Sequence, residues 1–254
     1  MVVSTDPLAS DVGLEVLKEG GNTIDAAVAV SFALAVVHPQ AGNIGGGGFM
    51  TIHFAEQGTE VTADYREMAP ALASRNMYVE ADQDQDAKAS RVGHLASGVP
   101  GTVAGLHMVW EKYGQLPWKR LVEPAIELAG KGFEIDFPFS EALKRSKGLL
   151  SRFAESRRIF LRDGDFYKEG DLFVQPELAK TLELIAEQGP QGFYEGPIAA
   201  LIEAESQSGG GLITKEDLKR YRPRFRNPIR GKYRGCLLYT SDAADDSKWG
   251  WWGG

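Results

Sequence analysis

Residues 18–50 read KEGGNTIDAAVAVSFALAVVHPQAGNIGGGGFM, and this stretch sets the expected fold. Asn22 stands as an N-cap with Asp25 three residues on, the pattern of a capping box. The body that follows, AAVAVSFALAVV over 26–37, is apolar on every side. It predicts a helix over 23–37 that is buried all round rather than along one stripe. The helix is too short to span a bilayer, and His38-Pro39 ends it. The glycine-rich loop 41–48 comes next, closing on four consecutive glycines, Gly45 to Gly48. A phosphate cradle would want a strand leading into a helix, or a Lys-Ser/Thr pair. Here the order is helix, loop, strand, with no lysine nearby. Close packing of a strand against the buried helix is the reading these residues favour.

Working outward, Asp6-Pro7 reads as an N-cap with proline at the first helical position. The helix it opens should run to about Glu19, with Leu8, Val12, Val16 and Leu17 on one face. Gly20-Gly21 stops it. Downstream, 49–54 and 59–65 read as two strands joined at Glu56-Gln57-Gly58. Residues 80–92 are polar and are expected to form a loop. Helices are expected from Thr102 to about Tyr113 and from Trp118 to Ala129. The stretch 136–175 reads as charged and irregular. Further helices are expected over 176–187 and 197–207. Thr214-Lys215-Glu216-Asp217 is a capping box for a short helix ending near Tyr221. A strand should start within 227–234. No internal repeat is visible, which argues against solenoids and propellers. The fold class expected is α/β (α+β).

Composition narrows the function classes. The chain has 254 residues, is 43% hydrophobic, and carries a net charge of -7. That balance argues against a nucleic-acid partner, which calls for a basic face. No apolar run reaches the roughly 18–20 residues of a membrane span. One cysteine excludes a disulfide framework and a cysteine-rich zinc site. His38, His53, His94 and His107 show no metal-ligand spacing, so no metal is expected. No GxSxG element accompanies them, and no pair of acids stands out as an acid/base couple. Arg66, between Asp64 and Glu67, offers a guanidinium fork suited to a carboxylate. A structural ion pair with either neighbour is the reading these residues favour, since such pairs are common at surfaces. The residues alone describe an acidic α/β protein and leave its reaction open.

Four segments together go further. Lys18 to Met50, DYREMAP (Asp64 to Pro70), HLASGVPGTVAGL (His94 to Leu106) and GGLITKEDLKRY (Gly210 to Tyr221) closely resemble the large subunit of γ-glutamyltranspeptidases, in that family's order. The resemblance implies the N-terminal-nucleophile hydrolase fold, an αββα sandwich, incomplete here. It implies a precursor that cuts itself into a large and a small subunit. The N-terminal threonine of the small subunit is the nucleophile. It attacks the γ-glutamyl amide of glutathione or similar compounds, and water or an amino acid then takes the acyl group. By its place in DYREMAP, Arg66 matches the arginine that binds the α-carboxylate of the γ-glutamyl group, with the flanking acids orienting it. The glycine loop and buried helix match scaffold. No cofactor is implied, and the partner is the chain's own small subunit.

The resemblance covers 1–235, the expected partial large-subunit region. From Cys236 the sequence CLLYTSDAADDSKWGWWGG holds the lone cysteine and three of the five tryptophans. It is expected to be a non-native tail, 236–254. No threonine here, Thr102 and Thr214 included, sits in the family's processing context, so no catalytic residue is expected and the chain alone should be inactive. A periplasmic or extracellular parent is implied, with its signal sequence outside this chain. Part of a sandwich would leave apolar faces uncovered, so low solubility is expected. Two alternatives stay open: a related acylase of the same family, acting on cephalosporins or poly-γ-glutamate, and a non-enzymatic anion- or nucleotide-binding module built on the glycine loop.

Overall fold

The computed structural model describes residues 1–78 and 89–240. In chain order the elements are α1 (Pro7–Lys18), α2 (Thr23–Val37), β1 (Phe49–Phe54), β2 (Thr59–Asp64), a 3-10 turn (His94–Ala96), α3 (Thr102–Tyr113), α4 (Trp118–Lys131), β3 (Phe133–Glu134), α5 (Phe137–Leu150), α6 (Ala154–Phe160), β4 (Leu161–Arg162), β5 (Asp165–Phe166), β6 (Leu172–Phe173), α7 (Pro176–Gln188), α8 (Gln191–Tyr194), α9 (Gly196–Ser208), α10 (Lys215–Arg220), β7 (Arg224–Arg226), β8 (Ile229–Tyr233) and β9 (Cys236–Thr240). They divide into two compact units, 1–43 with 113–192 and 44–112 with 193–254. Of the expected loop 80–92, residues 80–88 lie outside the described residues, as do 241–254 of the C-terminal stretch.

The first unit is built on α2. Its capping box forms as expected: Asn22 accepts from the Asp25 N–H, and the Asp25 carboxylate accepts from the Asn22 N–H. The helix is buried along its length, between α1 and α4. Phe32 meets the edge of Trp118 at 5.4 Å, and the Trp118 indole N–H donates to the Ile185 carbonyl at 2.8 Å. Asp25 is itself fully buried. Beyond its cap, it accepts the N–H groups of Gln115 and Leu116 at 3.0 and 3.3 Å. A buried carboxylate is tolerable because backbone donors surround it.

The helix α1 starts at Asp6-Pro7 as expected, but its buried line is Ala9, Gly13 and Val16, while Leu8 is exposed. The reason is close approach to α2. A Cβ on Gly13 would lie 2.6 Å from a Val30 methyl group, so small residues face the neighbour.

The stretch 136–175 is not irregular. It holds α5 and α6 and three short strands, β4, β5 and β6. Asp136 caps α5 by accepting from the Phe139 N–H at 2.8 Å, and Phe139 packs edge-on to Phe173 at 5.6 Å. Aromatic packing holds this region, under a charged surface that hides it in the sequence.

The second unit carries an antiparallel sheet in the order β1-β2-β7. β1 and β2 pair from Phe49↔Asp64 to Phe54↔Thr59, and β7 joins through Asp64↔Arg224, Ala63↔Phe225 and Thr62↔Arg226. The strand β7 is not expected from the sequence. The capping box at Thr214 and Asp217 forms. β8, inside the expected 227–234, pairs with β9 in a ribbon whose ten residues are all exposed. Among the described residues, no helix is long and apolar enough to cross a membrane.

Candidate substrate-binding site

The glycine loop fixes the ground on which Arg66 stands. Past the end of the β1–β2 ladder, Gly48 and Tyr65 exchange backbone hydrogen bonds at 3.3 and 3.0 Å. A Cβ on Gly47 would run into the backbone of Tyr65 and lie 2.7 Å from the Glu67 nitrogen. Only glycine permits that approach. The Gly46 carbonyl then accepts from the N–H groups of Gly101 and Thr102 at 2.7 and 3.1 Å. Two donors at the start of α3 are thereby satisfied by backbone, where a phosphate cradle would leave such donors to its ligand.

The segment 64–71 is fastened residue by residue. The Arg66 N–H donates to Asp64 Oδ1 at 3.1 Å, and the Arg66 carbonyl accepts from the Tyr221 hydroxyl at 2.9 Å. Met68 and Val99 exchange backbone bonds at 3.1 and 2.7 Å. The Ala71 N–H donates to Asp217 Oδ1 at 2.8 Å. Tyr65 is buried, and burial pushes its phenol up to about 12. Its ring and carbonyl occupy the space that side chains at Gly105 and Gly101 would need.

From this rigid segment the Arg66 side chain extends with 55% of its surface exposed, its Nε 3.3 Å from Glu67 Oε2. Asp64 meets the Arg66 backbone with one oxygen and binds Arg226 Nε with the other at 2.6 Å. Of the two flanking acids, Glu67 therefore lies against the guanidinium, and Asp64 holds the chain that carries it. A half-exposed guanidinium on a fixed backbone, with Glu67 beside it, has the fork geometry to bind a substrate carboxylate in bidentate fashion.

The histidines have local partners. His38 Nδ1 bonds Gln40 at 2.9 Å, His53 meets Glu60 at 3.1 Å, His94 meets Glu205 at 2.8 Å, and His107 lies against the Trp110 ring at 5.1 Å. Burial lowers His107 below the usual histidine range, against the opposing pull of Glu111. Among the described residues, no group of three or more His, Cys, Asp or Glu side chains converges as a metal site. The residues that frame Arg66, namely Tyr221, Tyr194, Asp217 and Gly101, do not stand out as site residues in the sequence. Their partners lie far along the chain, and local spacing announces only the capping role of Asp217, not its bond to Ala71.

A sequence profile described as gamma-glutamyltranspeptidase matches residues 9–247. The chain is 50% identical over 241 residues to a glutathione hydrolase proenzyme of Escherichia coli, covering 94% of this chain and 41% of that protein. It thus spans about two fifths of that relative's length. The crystal structure of the Helicobacter pylori gamma-glutamyltranspeptidase superposes with a TM-score of 0.93 at 46% identity, covering 97% of this chain and 71% of that one. A cephalosporin acylase from Bacillus halodurans superposes with a TM-score of 0.84 at 29% identity, over 92% of this chain and 44% of that one. The mixed helix-and-sheet architecture is that of the N-terminal-nucleophile hydrolases among these neighbours. The chain belongs to the γ-glutamyltranspeptidase family.

Proposed function

We propose that this chain supplies the donor-binding part of an enzyme that cleaves γ-glutamyl amides such as glutathione. In this reading Arg66 grips the α-carboxylate of the γ-glutamyl group. The clamp holds the γ-carbonyl where a nucleophile can reach it. The nucleophile is an N-terminal threonine on a small subunit cut from the same precursor, and the acyl group passes to water or an amino acid. The chain alone is then inactive, and the parent acts in the periplasm or outside the cell. The observation that carries the reading is the fastening of 64–71 around a half-exposed guanidinium, in a chain of this family. The likeness to a cephalosporin acylase keeps a second reading, an acylase acting on a different amide.

The test is Arg66→Ala in the full-length precursor. Donor KM should rise at least about tenfold, the loss of about 1.4 kcal/mol of binding. A donor KM within experimental error of wild type would overturn the assignment. Assays on glutathione and on a glutaryl amide, which keeps the carboxylate but lacks the α-amino group, separate the two readings.

A further inference from the structure

We infer that Tyr221 is a positioning residue for donor binding, holding the Arg66 peptide so that the guanidinium leaves the chain in one direction. The proposal rests on the assignment of Arg66 to the donor carboxylate.

Both peptide planes flanking the Arg66 Cα are tied. The N–H is held by Asp64, and the carbonyl accepts from Tyr221 Oη at 2.9 Å. With both planes fixed, the Cα–Cβ direction is fixed too. The arginine then has only its side-chain rotamers left to order when a carboxylate arrives, which lowers the cost of binding.

Tyr221 is suited to this work. It is 5% exposed, so its ring cannot swing away. It stacks on Tyr194 at 5.9 Å with the planes 7° apart. Tyr194 is pinned in turn, donating to the Pro100 carbonyl at 2.9 Å and accepting from the Ala104 N–H at 3.3 Å. Gly101 leaves the space in which Tyr221 Oη and the Tyr65 carbonyl come together, space that any Cβ would fill. Burial first, then the neighbouring charges of Asp64 and Glu67, push the Tyr221 phenol well above its ordinary value. The hydroxyl therefore keeps its proton and remains a donor.

The hydroxyl donates to the Arg66 backbone carbonyl and so acts through Arg66, which sets its kinetic signature. Losing it should weaken donor binding and leave the chemical step alone. The experiment uses the full-length self-processing precursor, with Tyr221→Phe, Arg66→Ala, the double variant, and Ser140→Ala as a reference. Tyr221→Phe should raise donor KM about three- to tenfold with kcat within about twofold of wild type, the scale of one lost hydrogen bond. In the Arg66→Ala background, Tyr221→Phe should add nothing to KM, because the group it positions is gone. Ser140→Ala removes a buried hydroxyl of the first unit, which donates to the Tyr167 carbonyl at 3.0 Å, and should lower the melting temperature without moving donor KM.

A normal KM in Tyr221→Phe beside a raised KM in Arg66→Ala overturns the positioning role and spares the Arg66 assignment. A normal KM in Arg66→Ala overturns both. Equal KM effects in Tyr221→Phe and Ser140→Ala, or a Tyr221→Phe enzyme that does not fold, assign the hydroxyl to general stability and overturn the proposal.

Discussion

Asp217 accepts a hydrogen bond from the backbone N–H of Ala71 at 2.8 Å, joining positions 146 residues apart. The same carboxylate closes the capping box of α10, accepting from the Thr214 N–H at 3.0 Å and its hydroxyl at 2.6 Å. One side chain thus ends the Arg66 segment and starts a helix. Replacing Asp217 with Ala should cost about 2–4 kcal/mol, since three donors lose their acceptor. Thermal denaturation would measure this, and an unchanged melting temperature would show that the two segments do not depend on each other.

The same residue sets an acid limit. Burial pushes the Asp217 carboxyl up, but the bonds from Thr214 and Ala71, with Arg220 nearby, outweigh it and hold the group below the usual aspartate range. Its folded value is therefore depressed. The charged form stabilises the fold fully above the unfolded aspartate value near 4, and that stabilisation is lost as pH falls through the lower folded value. The stability gap between wild type and Asp217→Asn should be constant from about pH 8 to 5 and should shrink below about pH 4. A gap that instead widens in acid would contradict the sign.

How much of this is legible in the sequence follows from range. The capping boxes at Asn22 and Thr214 are local, so their residues announce them, and both form. The all-apolar run of α2 foretells its burial. The Asp136 cap is equally local, but the charges around it mask a helix whose core packing comes from three phenylalanines. The buried face of α1 departs from the expected one because Gly13, not a leucine, meets the neighbour, and hydrophobicity alone carries no signal for close approach. Arg66 is visible through its motif. The groups that hold it, Tyr221 and Asp217, are not, since a hydrogen bond across some 150 residues leaves no periodicity behind.

The packing at Gly105 should be unforgiving. It sits inside α3 against the Tyr65 ring, where an added Cβ would overlap Tyr65 Cβ and Cγ. Both partners are buried, so neither can turn into solvent. Helix propensity alone would favour Gly105→Ala by about 1 kcal/mol. Overpacking should win, for a net loss of about 1–3 kcal/mol, because displacing Tyr65 also disturbs its pairing with Gly48. Chemical denaturation of the variant decides between the two, and a gain in stability would mean that the packing here relaxes freely.

In the first unit, Asp25→Ala should be the costliest single change at α2. The N–H groups of Asn22, Gln115 and Leu116 would lose their part-buried hydrogen bonds to a carboxylate that is itself buried. A loss of about 3–5 kcal/mol is expected, and Asp25→Asn should recover part of it through its remaining carbonyl oxygen. Equal melting temperatures for the alanine and asparagine variants would show that the acceptor is dispensable.

Removing residues 236–254 tests the boundary at 235 that the sequence suggests. Among the described residues, the strand β9 pairs with β8 alone, and Leu237, Leu238 and Tyr239 are exposed. Apolar surface that is already exposed contributes little to stability, yet it favours association. Among the described residues, the deletion also takes away the stacking of the Tyr239 ring on His53 at 5.5 Å, at an exposed site. Deletion should therefore shift the melting temperature by less than about 2 °C, the effect of well under 1 kcal/mol in a domain of this size. It should also raise the concentration at which the chain stays monodisperse in light scattering. A fall of more than about 5 °C would mean that these residues complete the second unit, and residue 235 would then be no boundary.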